Sequence, residues 1–180
     1  MRILCLGDSN TYGYDPRGYF GGRYGAEDRW PDLLAKKTGW EVINAGTCGA
    51  RIPHHLDPLP EAGRILVMLG TNDLLQGASA KEAAARMEAF LARLLLRSPA
   101  PVLIAPPPMK RGAWVATDAL AAESIRLAEA YETLARKLDI PFVDTRSWNI
   151  GLAFDGVHFT EAGHHAFAAR LHAYLTTLNP

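Results

Sequence analysis

Residues 64–73 read Arg64-Ile65-Leu66-Val67-Met68-Leu69-Gly70-Thr71-Asn72-Asp73. The run from Arg64 to Leu69 is nearly all apolar and lacks the in-out alternation of a half-solvated strand. Such a run predicts a central parallel strand covered on both faces. It stops at Gly70, and a hydroxyl, an amide and a carboxylate follow at once. In an open α/β sheet, ligands bind beyond the carboxyl ends of the strands.

Shorter apolar runs flank this one: Arg2 to Leu6, Glu41-Val42-Ile43, Pro101 to Ala105, and Ile140 to Val143. Helical patterns lie between them. Ser79 with Glu82 spells a capping box, after which Met87, Phe90, Leu91, Leu94 and Leu95 recur at helical spacing. Thr117 or Asp118 caps a second helix with Leu120, Leu127, Tyr131, Leu134 and Leu138 on its apolar face. A last helix after Thr160 carries Phe167, Leu171, Tyr174, Leu175 and Leu178, and an earlier one is expected near Pro31 to Lys37. Strands alternating with helices predict an α/β fold with a five-stranded parallel sheet, one domain over residues 1–180. Two connections are long, Gly13 to Arg29 with Tyr14, Tyr19, Phe20 and Tyr24, and Pro106 to Ala116 with Met109 and Trp114. Both are read as following strands, which would set them at the carboxyl edge of the sheet, where long loops are often functional.

Composition narrows the partners. Nineteen basic residues balance nineteen acidic ones in 180, and 48% of the chain is hydrophobic. No basic stripe suits nucleic acid, and no polybasic run beside an apolar helix suits a membrane surface. A small, roughly neutral molecule is the expected partner. The apolar start is too short for a signal-peptide core, no stretch approaches the roughly 20 apolar residues of a membrane helix, and Cys5 and Cys48 make no disulfide framework. A cytoplasmic location is expected.

Four segments beyond strand ends carry reactive groups: Gly7-Asp8-Ser9, Asn44 to Gly49, Gly70 to Asp73, and Asp155-Gly156-Val157-His158. A serine hydroxyl is a weak nucleophile until a base takes its proton. An imidazole, whose ordinary pKa is about 6.5, suits that task near neutrality. Asp155 can fix the tautomer of His158 and favour its charged form. Backbone N–H groups of Ser9 and Gly49, with the Asn72 amide, can face an oxyanion. Ser9 taken alone would equally read as a helix N-cap. Asp8 is read as a structural residue bonding nearby backbone, Asp73 as a cap or supporting partner, and Cys48 as a buried, inert thiol. His54 with His55, His164 with His165, and His165 with His172 complete no recognised ligand set, so no metal and no cofactor are expected.

These blocks resemble the SGNH hydrolases, also called the GDSL family, whose four marker residues fall on Ser9, Gly49, Asn72 and His158, with Asp155 as third triad member. The resemblance runs from Gly7 to His158. It implies a flavodoxin-like three-layer α/β/α sandwich and a metal-independent esterase, similar to the arylesterase and acyltransferase-like branch. Relatives in that branch often assemble, so a homo-oligomer is an accompanying expectation. Asn10 departs from the leucine or isoleucine that many members carry there, which bears on pocket polarity. Asn10, Tyr12, Trp30 and Trp114 are taken as candidate substrate-binding residues, although aromatics in such segments also pack as core. The expected substrate is a short-chain acetyl or aryl ester. Deacetylation of carbohydrate or other natural acetyl esters, and acyl transfer to an alcohol, fit the same groups. A non-catalytic flavodoxin-like binding module is the reading from a different class. The first loop lacks a phosphate cradle, and no Walker-type lysine follows a glycine loop.

Overall fold

In a computed structural model, residues 1–18, 22–97 and 101–178 are described. Tyr19 and Phe20 of the first long loop lie outside that set. In chain order the elements are β1 (Arg2–Gly7), α1 (Ser9–Tyr12), β2 (Tyr14–Asp15), β3 (Gly22–Arg23), α2 (Trp30–Thr38), β4 (Glu41–Gly46), β5 (Arg64–Met68), α3 (Thr71–Leu75), α4 (Ala80–Leu95), β6 (Pro101–Ile104), α5 (Asp118–Leu138), β7 (Phe142–Val143) and α6 (Glu161–Leu175).

Five parallel strands form the main sheet in the order β4-β1-β5-β6-β7. That is the flavodoxin-like order, which reverses direction between β1 and β5. Gly7 pairs with Gly46 on one side and with Met68 on the other, so the three strands before the reactive loops end level. As expected of a strand buried on both faces, β5 divides its side chains between two cores. Ile65 and Val67 join Leu4, Leu103 and the apolar faces of α4 and α5. Leu66 and Met68 join Ile3, Cys5, Ile104 and the inner faces of α2 and α6.

Helix ends follow the local chemistry. Ser79 Oγ accepts from Glu82 N while Glu82 Oε2 accepts from Ser79 N at 2.8 Å, the reciprocal capping box. Thr117 and Thr160 cap α5 and α6 through their hydroxyls. Each such cap stabilises its helix by about 1 kcal/mol relative to alanine.

The first long connection departs from expectation. It follows α1 rather than a strand, and its described part pairs β2 with β3 as a short antiparallel ribbon. The second does follow β6. It is bonded along the segment 153–157 by Lys110 N to Gly156 O at 3.0 Å, Ala113 N to Phe154 O at 3.1 Å and Trp114 N to Asp155 O at 3.0 Å. Gly156, at φ 80°, permits this closeness, because a Cβ there would stand 2.0 Å from the Lys110 carbonyl oxygen. Among the described residues, no helix is long and apolar enough to cross a membrane.

Candidate active site

Ser9 opens α1 directly after β1, with Asp8 as N-cap. The Asp8 carboxylate accepts from Asn10 N at 2.9 Å, which bends the chain sharply from strand into helix. The first N–H groups of any helix have no acceptor within it, so the Ser9 amide starts the helix as an available donor. Ser9 itself is 6% exposed. Asp8 is buried beside Asp73, and burial first, then that neighbouring charge, outweigh its hydrogen bonds and push its pKa up to about 6. The structural role read for Asp8 agrees with this geometry.

His158 reaches Ser9 from the far end of the chain. Its Nε2 lies 2.9 Å from Ser9 Oγ, and its Nδ1 lies 2.7 Å from Asp155 Oδ2. The other Asp155 oxygen accepts from Val157 N and His158 N, each at 2.9 Å. In the tautomer that carries its proton on Nδ1, His158 donates to Asp155 and leaves Nε2 to accept from the serine hydroxyl. Asp155 and His158 are both buried.

The amide donor comes from the centre of the sheet. Asn72 lies in α3 after β5, and its Nδ2 donates to Ala50 O at 2.9 Å. This bond aims the side chain at the turn that holds Gly49 and leaves its second N–H for another acceptor. Gly49 has φ 74°, a left-handed conformation that favours glycine, and a Cβ there would meet nothing within 4 Å. Its need for glycine is therefore one of backbone conformation rather than of space. Asp73 steadies the chain just beyond, accepting from Ile52 N at 3.0 Å and from the Arg86 guanidinium at 2.9 Å. That makes Asp73 a supporting partner.

Two of the expected substrate residues are reassigned. Asn10 is buried, and both ends of its amide are engaged: Nδ2 donates to Val157 O at 3.1 Å, and Oδ1 accepts from Phe159 N at 2.9 Å. It clamps the serine helix to the histidine loop, which gives the buried amide at this position its structural work. Trp30 is buried in the core beneath α6, with its ring centroid 5.2 Å from that of Phe167. Tyr12 is half-buried, with the Arg23 guanidinium 4.2 Å from its ring centroid. Trp114 does reach the site: its ring centroid is 4.9 Å from that of His158, edge-on. Tyr14 also touches the imidazole, at 4.6 Å. Cys48 is exposed rather than buried. Partial burial raises its pKa, with Asp8 adding to the effect, so it is not an activated thiolate. Among the described residues, no three His, Cys, Asp or Glu side chains cluster as metal ligands. A recess of about 870 Å³ lies elsewhere, between Arg2, Leu59 and Arg97, and neither Ser9 nor His158 lines it.

Residues 5–166 match the model of the GDSL-like lipase/acylhydrolase family. Three solved structures are similar over nearly their whole length. A carbohydrate acetylesterase family member from Sinorhizobium meliloti is 29% identical, with a TM-score of 0.82 and coverage of 98% of this chain and 97% of that one. The aryl esterase of M. Smegmatis is 26% identical, with a TM-score of 0.84 and 99% of each chain covered. A putative arylesterase from Agrobacterium tumefaciens str. C58 is also 26% identical, at a TM-score of 0.83 and 99% of each chain. No curated protein matches the sequence.

Proposed function

The chain belongs to the GDSL-like lipase/acylhydrolase family and is a carboxylic-ester hydrolase, and from that premise we propose that it cleaves short-chain acyl esters, acetyl or aryl, through an acyl-enzyme on Ser9. The observation that carries this reading is the unbroken line of contacts from Asp155 through His158 to Ser9, at 2.7 and 2.9 Å. Attack by Ser9 Oγ on the ester carbonyl passes the hydroxyl proton to Nε2, and Asp155 stabilises the resulting imidazolium. Negative charge then builds on the carbonyl oxygen, which the N–H groups of Ser9 and Gly49 and the free N–H of Asn72 receive. Collapse releases the alcohol with the proton from Nε2. Water, activated by the same imidazole, then frees the acid. The route needs neither metal nor cofactor.

A second reading keeps this chemistry and changes the ester. The likeness to the Sinorhizobium meliloti carbohydrate acetylesterase family member supports an acetylated carbohydrate as substrate. We place either reaction in the cytoplasm, consistent with two free cysteines. The partner in both cases is a small ester rather than nucleic acid or membrane.

Ser9→Ala tests the proposal. Hydrolysis of p-nitrophenyl acetate is expected to fall at least about ten-thousandfold. An alanine variant working at the wild-type rate overturns it.

A further inference from the structure

We infer that Arg86, a residue of α4 outside the triad and the oxyanion donors, is a positioning residue for the oxyanion hole and acts through Asp73. The inference rests on the donors assigned above, the N–H groups of Ser9 and Gly49 and the second N–H of Asn72. Such donors stabilise the developing charge only while they converge on one point. Whatever fixes their spacing therefore acts on the transition state.

Asn72 belongs to α3, Gly49 to the turn after β4, and side chains join the two. Upstream, the turn is tied to the nucleophile strand: Thr47 N donates to Gly7 O and Ala50 N donates to Thr47 O, each at 3.1 Å. Downstream, two adjacent residues of α3 grip it. Asn72 Nδ2 donates to Ala50 O at 2.9 Å, and Asp73 Oδ2 accepts from Ile52 N at 3.0 Å. The Asn72 bond alone would let the turn pivot about Ala50 O. The second bond, one residue along α3 and two along the turn, removes that freedom.

The second bond depends on charge. Asp73 is 1% exposed, and a buried carboxylate left without a cation is costly. Arg86 Nη1 supplies the cation, 2.9 Å from the other oxygen, Oδ1. The demand is sharpened by Asp8, the buried cap of the nucleophile helix, which feels the charge of Asp73. Arg86 stands one turn before Phe90, which anchors α4 in the same core as Ile52. Removing Arg86 strands the Asp73 charge, and the relief open to Asp73, rotation toward solvent, releases Ile52 N. The Arg86 side chain is 36% exposed, so its replacement opens no cavity in the core.

A merely structural ion pair would change stability and multiply with any lesion in the site. We therefore measure kcat and KM on p-nitrophenyl acetate for Arg86→Met and Arg86→Lys, each alone and combined with Asn72→Ala. Urea unfolding of every variant is followed alongside. Alone, Arg86→Met is expected to lower kcat about tenfold to a hundredfold, with KM changed less than about twofold, and Arg86→Lys to recover most of the loss. In the Asn72→Ala background, where the donor to be aligned is already gone, Arg86→Met is expected to cost less than about threefold more. A full repetition of the loss in that background, an unchanged kcat, or a change confined to KM overturns the inference. A lysine variant as slow as the methionine one overturns it too, because the charge would then not be what acts. Should Arg86→Met fail to fold, Arg86→Gln takes its place in the same cycle. Labelling of Ser9 by a small phosphonate separates the two levels: failure to label the wild type removes the esterase mechanism itself, whereas normal labelling with multiplying losses removes only the role of Arg86.

Discussion

His158 and His164 stand close in sequence and are both buried, at 2% and 0% exposure, yet their surroundings are opposite. Both nitrogens of His158 are engaged, one by Asp155 and the other by Ser9. Among the described residues, His164 has a long hydrogen bond from Trp30 N to its Nδ1, at 3.4 Å, and no partner for its Nε2. Its neighbours are the rings of Tyr24 and Phe159, each at 5.2 Å. Burial pushes its pKa down from 6.5 to about 3. Burial, with the nearby Arg29 and histidines adding to it, thus makes an imidazole that refuses a proton. His158 differs in its contacts, with Asp155 on one ring nitrogen and Ser9 on the other, and that geometry separates a general base from a core histidine.

The sharpest way to break this contrast is to take away the carboxylate. Asp155→Asn keeps the size of the side chain but stabilises the wrong tautomer, and kcat on p-nitrophenyl acetate is expected to fall about ten-thousandfold. A loss below about tenfold would make the two histidines equivalent.

The counterpart is His164→Asn, expected to leave kcat within a few-fold while changing acid stability. An unfolded chain protonates this histidine near pH 6.5, whereas the folded chain resists until about pH 3. Its contribution is therefore complete above pH 6.5 and is lost as pH falls through that window, amounting to roughly 5 kcal/mol at the bottom. Asparagine can still accept from Trp30 N, and it does not titrate. The drop in urea midpoint between pH 7.5 and pH 4 should shrink in the variant, and an unchanged drop would exclude His164 as its source.

Asn72 extends the comparison to a buried amide that, like His164, has one structural bond, here to Ala50 O. Unlike His164, it is expected to act on substrate through its second N–H. Asn72→Ala should lower kcat about a hundredfold to a thousandfold with a much smaller change in KM. A change confined to KM would assign it to ground-state binding. The smallest effect is expected at Gly49→Ala. Open space surrounds the site, so only the left-handed backbone at φ 74° resists the methyl group. A cost of about 1 kcal/mol, read as a Tm lower by a few degrees, is expected.

Much of this was legible along the chain. The uninterrupted apolar run at 65–69 reads correctly as a doubly covered strand, and Ser79, Thr117 and Thr160 mark helix starts that the structure keeps. Each of these signals is local, set by periodicity or by a side chain bonding its own backbone. The residues misread from sequence depend on distant partners. Asn10 is a clamp because Val157 and Phe159 fold over it, and Trp30 is core because Phe167 lies against it. No local pattern encodes either contact. Cys48 is exposed in the turn that follows β4, the edge strand of the sheet, and a strand's place in the sheet is not written in its own residues. The aromatic flank of His158 needed the loop that follows β6 to be seen bonded to the segment 153–157. Tyr14 and Trp114 both read as loop aromatics along the chain, but their spacing says nothing of a shared neighbour.

The central claim is tested most directly by treating the folded chain with a p-nitrophenyl phosphonate and mapping the adduct by peptide mass spectrometry. One adduct per chain, on Ser9, with activity lost in proportion to labelling and no labelling in Ser9→Ala, is the expected result. An adduct on any other residue that accompanies inactivation, or full activity after Ser9 is modified, would contradict the assignment of Ser9 as nucleophile.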